Sequence, residues 1–233
     1  MIELDFMGSK LRFRDSGPTP RKRVATFETK EPDTVLWIKA LNADDVLWDI
    51  GANIGIYTIP AATICRVIAF EPLPENSADL AANIAINDSN AVSLSVALSD
   101  KDGFDVLVCS TGEPGSAMNT IGSVGYRGLR AAGKFSCGVI TARGDTLCRA
   151  GLAAPTAIKI DVDGIEHRIV PALVWNRVRT AIIEVDSKRN EHLEMIKIMG
   201  RMGFSWSETQ ALSARRVSGP NDGVGNIVFQ RSL

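Results

Sequence analysis

Val46-Leu47-Trp48-Asp49-Ile50-Gly51-Ala52-Asn53-Ile54-Gly55 is the stretch whose reading decides the fold. Its first five residues form a short, nearly continuous apolar run, the pattern of a parallel strand buried on both faces. A glycine follows at once, and a second comes four residues later. Glycine has no Cβ and accepts positive φ, so it lets a strand turn sharply into a helix and lets a ligand approach the backbone. The helix beyond such a turn offers unpaired N–H groups.

Downstream the pattern repeats. Arg66-Val67-Ile68-Ala69-Phe70 reads as a second strand ending in Glu71-Pro72, and a helix is predicted from about Pro74 to Asn87, with Leu80 and Ile84 on one face. A third strand is predicted over Val92 to Leu98. Strand, helix, strand, helix, strand implies right-handed crossovers and a parallel sheet. Further strands are predicted at Ala157–Val162, ending in Asp163-Gly164, and at Ala181–Val185. A helix follows the first of these to about Arg177, bent at Pro171, and an amphipathic helix covers Glu191–Met202. Phe204–Glu208 and Asn226–Gln230 read as closing strands. The fold class is therefore α/β, doubly wound and mostly parallel.

Upstream, residues 1–31 read as an N-terminal arm or hairpin, with turn signals at Ser16-Gly17-Pro18 and the basic run Arg21-Lys22-Arg23 in a solvated loop. Pro32–Leu41 reads as a helix with Val35, Leu36, Ile38 and Leu41 along its apolar stripe. Phe104–Cys109 looks like an antiparallel or edge strand, and the Gly- and Ser-rich residues 110–137 like a substrate loop or lid. With no linker and no repeat, residues 1–233 are expected to form one domain.

The 233 residues are 45% apolar and 23% charged, with a formal net charge of −1, so no basic footprint points to nucleic acid. Four cysteines without a Cys-x-x-Cys pair and only two histidines give neither a zinc site nor a disulfide framework. The acidic start Met1-Ile2-Glu3-Leu4-Asp5 is unlike a signal peptide, and no run is long and apolar enough for a membrane span. A cytoplasmic protein with no membrane partner is expected.

Two nucleotide classes use a glycine turn of this kind. Dinucleotide binders favour Gly-x-Gly-x-x-Gly, whereas this turn is Gly-x-x-x-Gly and carries Asp49 just ahead of it. A carboxylate there repels a pyrophosphate but can pair with a cationic amino-acid ligand. S-adenosylmethionine carries an ammonium and a sulfonium and no phosphate, so the turn favours it. Glu71, twenty residues past Gly51 (71 − 51) at the end of the second strand, can accept from both hydroxyls of a ribose. Lys159 and Asp161 are two apart and point to one side of their strand, which suits either an ion pair or a strand-end carboxylate beside the reacting methyl. Asp161, Glu184 and His167 compete as general base, in that order. Asp163 and Glu166 are read as bracing the Gly164 turn. A magnesium site from Asp161, Asp163 and Asp186 is disfavoured, and no metal is expected.

With those residues in hand, the chain resembles the FkbM family of methyltransferases. The resemblance rests on Trp48-Asp49-Ile50-Gly51-Ala52-Asn53-Ile54-Gly55-Ile56-Tyr57-Thr58, Ala69-Phe70-Glu71-Pro72, Val96-Ala97-Leu98-Ser99-Asp100, Ile158-Lys159-Ile160-Asp161-Val162-Asp163-Gly164-Ile165-Glu166 and Ile182-Ile183-Glu184, in that order over roughly residues 28–200. It implies the class I (Rossmann-like) methyltransferase fold, a seven-stranded sheet whose last strand is antiparallel. It implies S-adenosylmethionine as cofactor and O-methylation of a sugar or natural-product small molecule. Cofactor contacts are expected from Asp49, Gly51, Ala52, Asn53, Gly55, Tyr57, Glu71, Pro72, Ala97, Leu98 and Asp161, and catalytic roles from Asp161, Glu184 and Lys159. Base methylation is disfavoured, because Asp161-Val162-Asp163-Gly164 lacks the Pro-Pro-aromatic element of amino-methylating DNA enzymes. The remaining alternatives are a nucleoside-binding scaffold without turnover, a protein or other acceptor, and association as a homodimer.

Overall fold

The computed structural model describes residues 1–117, 119–121, 135–219 and 221–231. The chain begins with a hairpin, β1 (Ile2–Phe6) and β2 (Ser9–Phe13), then α1 (Pro18–Ala25), α2 (Phe27–Lys30) and α3 (Pro32–Lys39). There follow β3 (Val46–Ile50), α4 (Thr58–Ala62), β4 (Arg66–Phe70), α5 (Pro74–Ile86), β5 (Val92–Leu94) and β6 (Ala97–Leu98). The middle holds β7 (Gly103–Cys109), β8 (Thr120–Ile121), β9 (Phe135–Ala142) and α6 (Gly144–Arg149). The last part holds β10 (Ala157–Ile160), α7 (Glu166–Ile169), β11 (Thr180–Asp186), α8 (Asn190–Arg201), β12 (Ser205–Trp206), α9 (Glu208–Ala214) and β13 (Val224–Gln230).

Seven strands form the main sheet, in the order β12-β13-β11-β10-β3-β4-β5. β3, β4, β5, β10 and β11 pair in parallel, while β13 runs antiparallel to both neighbours, as the resemblance implies. Numbered along the chain, the sheet reads 3-2-1-4-5-7-6 from the β5 edge, so its winding reverses between β3 and β10. In open α/β sheets that point of reversal opens a crevice at the carboxyl ends of the strands.

The alternation of side chains divides the core between the two faces of the sheet. Trp48, Ile50, Ile68, Phe70, Ile158, Ile160 and Ile183 are buried on one face. Leu47, Val67, Ala157 and Ile182 lie on the other, under Phe6, Phe27, Trp37 and Tyr57 from the arm and the first helices. Each such fully buried large side chain contributes about 1.5–3 kcal/mol of transfer free energy.

Several expectations change. The third strand splits: β5 ends at Leu94, level with the last residue of β4, so nothing remains to pair with, and Ala97–Leu98 crosses to pair with Thr141–Ala142. That pairing belongs to a second sheet, β6-β9-β7-β8, which takes in the predicted Phe104–Cys109 strand. The expected 110–137 loop is shorter, because Phe135, Ser136 and Cys137 already pair with β7 and Thr120–Ile121 forms β8. Its residues 118 and 122–134 lie outside the described residues. The helix expected to run to Arg177 stops as α7 and a 3-10 turn at Val170–Ala172, because Pro171 has no N–H to continue it. The indole of Trp175 donates to the Val170 carbonyl (2.7 Å), which also accepts from Leu173 N (3.4 Å). In α3 the stripe is shifted by one residue: Leu36 is 63% exposed, and Trp37 is buried with its Nε1 donating to Thr180 Oγ1 (2.8 Å). Arg21-Lys22-Arg23 lies in α1, not in a loop, and α9 has no counterpart among the expected elements.

Candidate functional site

Gly51 begins the turn at the switch point. It adopts φ 82°, and a Cβ built there would lie 1.9 Å from the carbonyl oxygen of Asp161. Only glycine lets the β3 and β10 ends approach this closely. The turn hangs on β4, since Gly51 N and Ala52 N both donate to Phe70 O (3.0 Å each). Asn53 is also left-handed, at φ 53°, and its N–H donates to Glu71 Oε2 (2.8 Å). The other carboxylate oxygen of Glu71 accepts from Leu73 N (2.8 Å). Burial pushes the Glu71 carboxyl up to about 7 although those two N–H groups oppose the shift. Each oxygen keeps a lone pair for a further donor.

These groups border one cleft. It encloses about 70 Å³ within a mouth of about 560 Å³ that includes open solvent. Phe70, Ala97, Leu98, Leu107, Ile121 and Ile165 give it an apolar wall, and Glu71, Asn76, Ser116, Asn119 and Asp161 its polar groups. Of the expected cofactor residues, Gly51, Asn53, Glu71, Pro72, Ala97, Leu98 and Asp161 line this cleft, while Asp49, Ala52, Gly55 and Tyr57 do not. Ala52 packs on Ala69 and Leu80, and a Cβ at Gly55 would lie 2.7 Å from Leu80 Cδ1.

Asp49 and Tyr57 belong to a buried polar network on the arm side of the sheet. In the β3–β10 register Asp49 stands directly beside Lys159. The Lys159 ammonium lies 3.2 Å from Asp49 Oδ1 and 3.8 Å from Asp161 Oδ2, and 5.3 Å above the Tyr57 ring. Thr58 Oγ1 donates to the second Asp49 oxygen (2.6 Å). Burial alone disfavours the Lys159 ammonium, but Asp49, Asp161 and Glu31 outweigh it and hold the pKa above the ordinary value. Lys159 therefore fixes carboxylates and is no base at neutral pH.

Glu184 follows two residues after Ile182, the register partner of Lys159, so it lies on the same face of the sheet as Asp161. Burial, and then the charge of Asp161, raise its pKa well above the usual carboxylate range. Arg216 bridges Glu184 to Glu31 at 3.4 Å each, and Glu31 accepts from Tyr57 OH and Asn226 Nδ2 (3.1 Å each). Lys30 and then Lys159 override burial and hold Glu31 at about 2. The Asp161 carboxylate is 30% exposed, the most open of the acids in this network.

Glu166 braces the next turn, where one carboxylate oxygen accepts from Val162 N and Gly164 N (3.2 Å each). His192 takes the N–H of Asp186 on Nδ1 (3.0 Å), which directs its Nε2 toward Glu166 at 3.4 Å. His167 stacks on His192 at 5.6 Å and does not line the cleft.

Sequence reasoning missed Asn76, Ser116, Glu31 and Arg216. Asn76 takes Gly115 N on Oδ1 (2.7 Å), and the side-chain amides of Asn76 and Asn53 both donate to Ser116 O (3.2 and 2.7 Å). Its place five residues past Glu71, in the first turns of α5, is a usable sequence signal. Glu31 and Arg216 lie 185 residues apart, and nothing local links them.

A glycine turn and a strand-end carboxylate flanking the switch point of a 3-2-1-4-5-7-6 sheet define the class I methyltransferase type of α/β domain. The chain belongs to the FkbM methyltransferase family: the sequence model of the Methyltransferase FkbM domain matches residues 49–206. It is 28% identical over 159 residues to the hexuronic acid methyltransferase AglP of Haloferax volcanii, covering 66% of this chain and 62% of that protein's length. It is 26% identical over 220 residues to the 31-O-demethyl-FK506 methyltransferase FkbM of Streptomyces tacrolimicus, covering 77% of this chain and 84% of that one. Among solved structures, Trm5b of Pyrococcus abyssi matches 98% of this chain and 55% of its own, with TM-score 0.50 and 13% identity. No helix among the described residues is long and apolar enough to cross a membrane.

Proposed function

We propose that the protein transfers the methyl group of S-adenosylmethionine to a hydroxyl of a sugar or natural-product small molecule. The observation that carries this reading is that Glu71, the Gly51 turn, Ala97, Leu98 and Asp161 all border one cleft. Gly51 lines that cleft without a side chain of its own, so a ligand there can lie against its backbone. Glu71 would hold the ribose hydroxyls, and Ala97 and Leu98 the adenine ring. When bound, the cofactor supplies a methyl group activated on a sulfonium.

The rest is the work of the chain. Asp161 sits at the edge of the cleft with Lys159 behind it, placed to accept the proton of an acceptor hydroxyl. Lys159 and Asp49 fix the height of that carboxylate in the sheet. Glu184, on the same face, is held by Arg216 at 3.4 Å and is not among the residues lining the cleft, so the proton of the hydroxyl is assigned to Asp161 alone. Most of the acceleration then comes from holding two reactants in line. The relatives' printed substrates, a hexuronic acid and a demethylated FK506, favour hydroxylated small molecules.

The test is calorimetry with S-adenosylhomocysteine together with methyl transfer from labelled cofactor to a panel of sugars. Glu71→Ala is expected to lose cofactor affinity. Asp161→Asn is expected to keep most of that affinity and lose turnover. Binding with no transfer to any hydroxylated acceptor would favour a scaffold, and no binding at all would end the reading.

A further inference from the structure

A second cavity, of about 350 Å³, opens between α1 and the Ser110–Ala117 segment, and it shares Ser116 with the cleft just described. A molecule seated in it would therefore abut whatever occupies that cleft. Its charged lining is unbalanced: Lys22, Arg23 and Lys30 face Glu113, in a chain whose formal net charge is −1. Lys30 is already paired with Glu31 at 2.9 Å. Lys22 has no ion pair among the described residues, and Arg23 spends a single donor, its Nε, on Gly115 O (2.7 Å).

That one bond aims the guanidinium. Gly115 adopts φ 79°, and a Cβ there would lie 3.2 Å from Thr19 Cγ2 and 3.3 Å from Pro20 Cδ, so the loop is packed hard against the start of α1. The carbonyl that holds Arg23 is fixed, and its two terminal amino groups are left as a planar fork suited to an oxyanion. Arg23 lines this cavity together with Ser116, which also lines the cleft.

We infer that this cavity holds an oxyanion carried by the methyl acceptor, so that the substrate class is a hydroxylated small molecule bearing a carboxylate, sulfate or phosphate. The inference rests on the transfer reading for the word acceptor, though not for the anion site itself. Lys22 and Arg23 precede the segment matched by the family, residues 49–206, so the recognition belongs to the arm of this chain.

The experiment titrates the full chain, with and without S-adenosylhomocysteine, with glucose, glucuronate, glucose 6-phosphate and inorganic phosphate, at fixed ionic strength. A charge-assisted bond of this kind corresponds to roughly tenfold or more in affinity. Glucuronate or glucose 6-phosphate is expected to bind at least about tenfold more tightly than glucose, and the better of the two identifies the group. Saturable binding of inorganic phosphate alone also supports the site. The double variant Lys22→Gln, Arg23→Gln should erase the preference while leaving the urea-denaturation midpoint unchanged, which shows that the chain has folded. Equal binding of neutral and charged sugars, a preference that survives the double variant, or no saturable binding of any anionic probe overturns the inference. Failure of the nucleoside alone, with the anion preference intact, removes the transfer reading and leaves the anion site standing.

Discussion

Replacing Gly51 by alanine tests whether the close approach of β3 and β10 creates the site. Two costs add. At φ 82° a residue with a Cβ loses about 1–2 kcal/mol. The new methyl would also lie 1.9 Å from Asp161 O and 2.9 Å from Asp161 C, far inside contact distance. Neither side can yield freely, because Gly51 N is bonded to Phe70 O and Asp161 N to Ile50 O (3.0 Å each). Relief requires the strand ends to part, and overpacking of this kind costs about 1–3 kcal/mol or more. The sum is about 2–5 kcal/mol, a large share of the 5–15 kcal/mol typical of a domain. Gly8 isolates the first cost, with φ 84° and nothing within 4 Å of a built Cβ. Gly55 is intermediate, since its clash is with the tip of Leu80. Urea denaturation should rank the losses Gly51→Ala, Gly55→Ala, Gly8→Ala, largest first. S-adenosylhomocysteine affinity should fall most for Gly51→Ala, because a displaced turn takes the Asn53 N–H away from Glu71. A Gly51→Ala protein no less stable than Gly8→Ala would refute the argument.

Three further outcomes are expected. In the proposed role Glu71, raised to about 7, accepts from two ribose hydroxyls best when ionised, so S-adenosylhomocysteine affinity should rise with pH through about 7; calorimetry of Glu71→Gln should show weaker, pH-independent binding, and an unchanged slope would count against the role. Glu166, also raised to about 7 by burial, keeps a proton in the folded chain that the unfolded chain releases near its ordinary 4.5. Its contribution to stability is therefore lost as pH climbs across that window, by up to about 3 kcal/mol. His192, depressed to about 4, acts in the opposite sense below its ordinary value, so the readout is the difference in denaturation slope between the native chain and Glu166→Gln. Lys159→Met strands Asp49 as a buried charge and should cost about 3–5 kcal/mol. Adding Asp49→Asn should recover part of it, whereas strictly additive denaturation midpoints would show that the two side chains are not coupled.

The main sheet was legible because parallel strands buried on both faces announce themselves as unbroken apolar runs; Val46–Ile50, Arg66–Phe70 and Ala181–Val185 needed no partner to be recognised. The limits of a strand are set by its neighbour instead. Val92–Leu98 is apolar enough to continue, and it breaks only because β4 has already ended at Phe70. Period-two alternation correctly put Lys159 and Asp161 on one side, yet sequence could not say that Asp49 stands beside Lys159, since register between β3 and β10 is a tertiary fact. Asp49 read alone suggests a ligand contact. Beside an ammonium it is a buried partner.

The arm shows the same limit more sharply, and it changes what the site is. Burying Asp49 and Glu31 close to the half-buried Asp161 is costly without compensation. Lys159, Arg216 and Lys30 supply it, Lys159 to Asp49 and Asp161, Arg216 to Glu31 and Glu184, and Lys30 to Glu31. Each member is held by another, and the chain of contacts runs from β3 through Tyr57 to Glu31, a residue of the arm that precedes the matched segment by eighteen positions (49 − 31). Removing the arm would take away the acceptor for Tyr57 OH and one partner of Arg216. The glycine turn and Glu71 come from the segment common to the family. Lys159, the cation nearest Asp161, also lies in that segment, whereas Glu31 and Arg216, which complete the network around it, lie outside. The glycine turn from the matched segment and Glu31 from the arm thus meet in one network around Asp161 and Lys159.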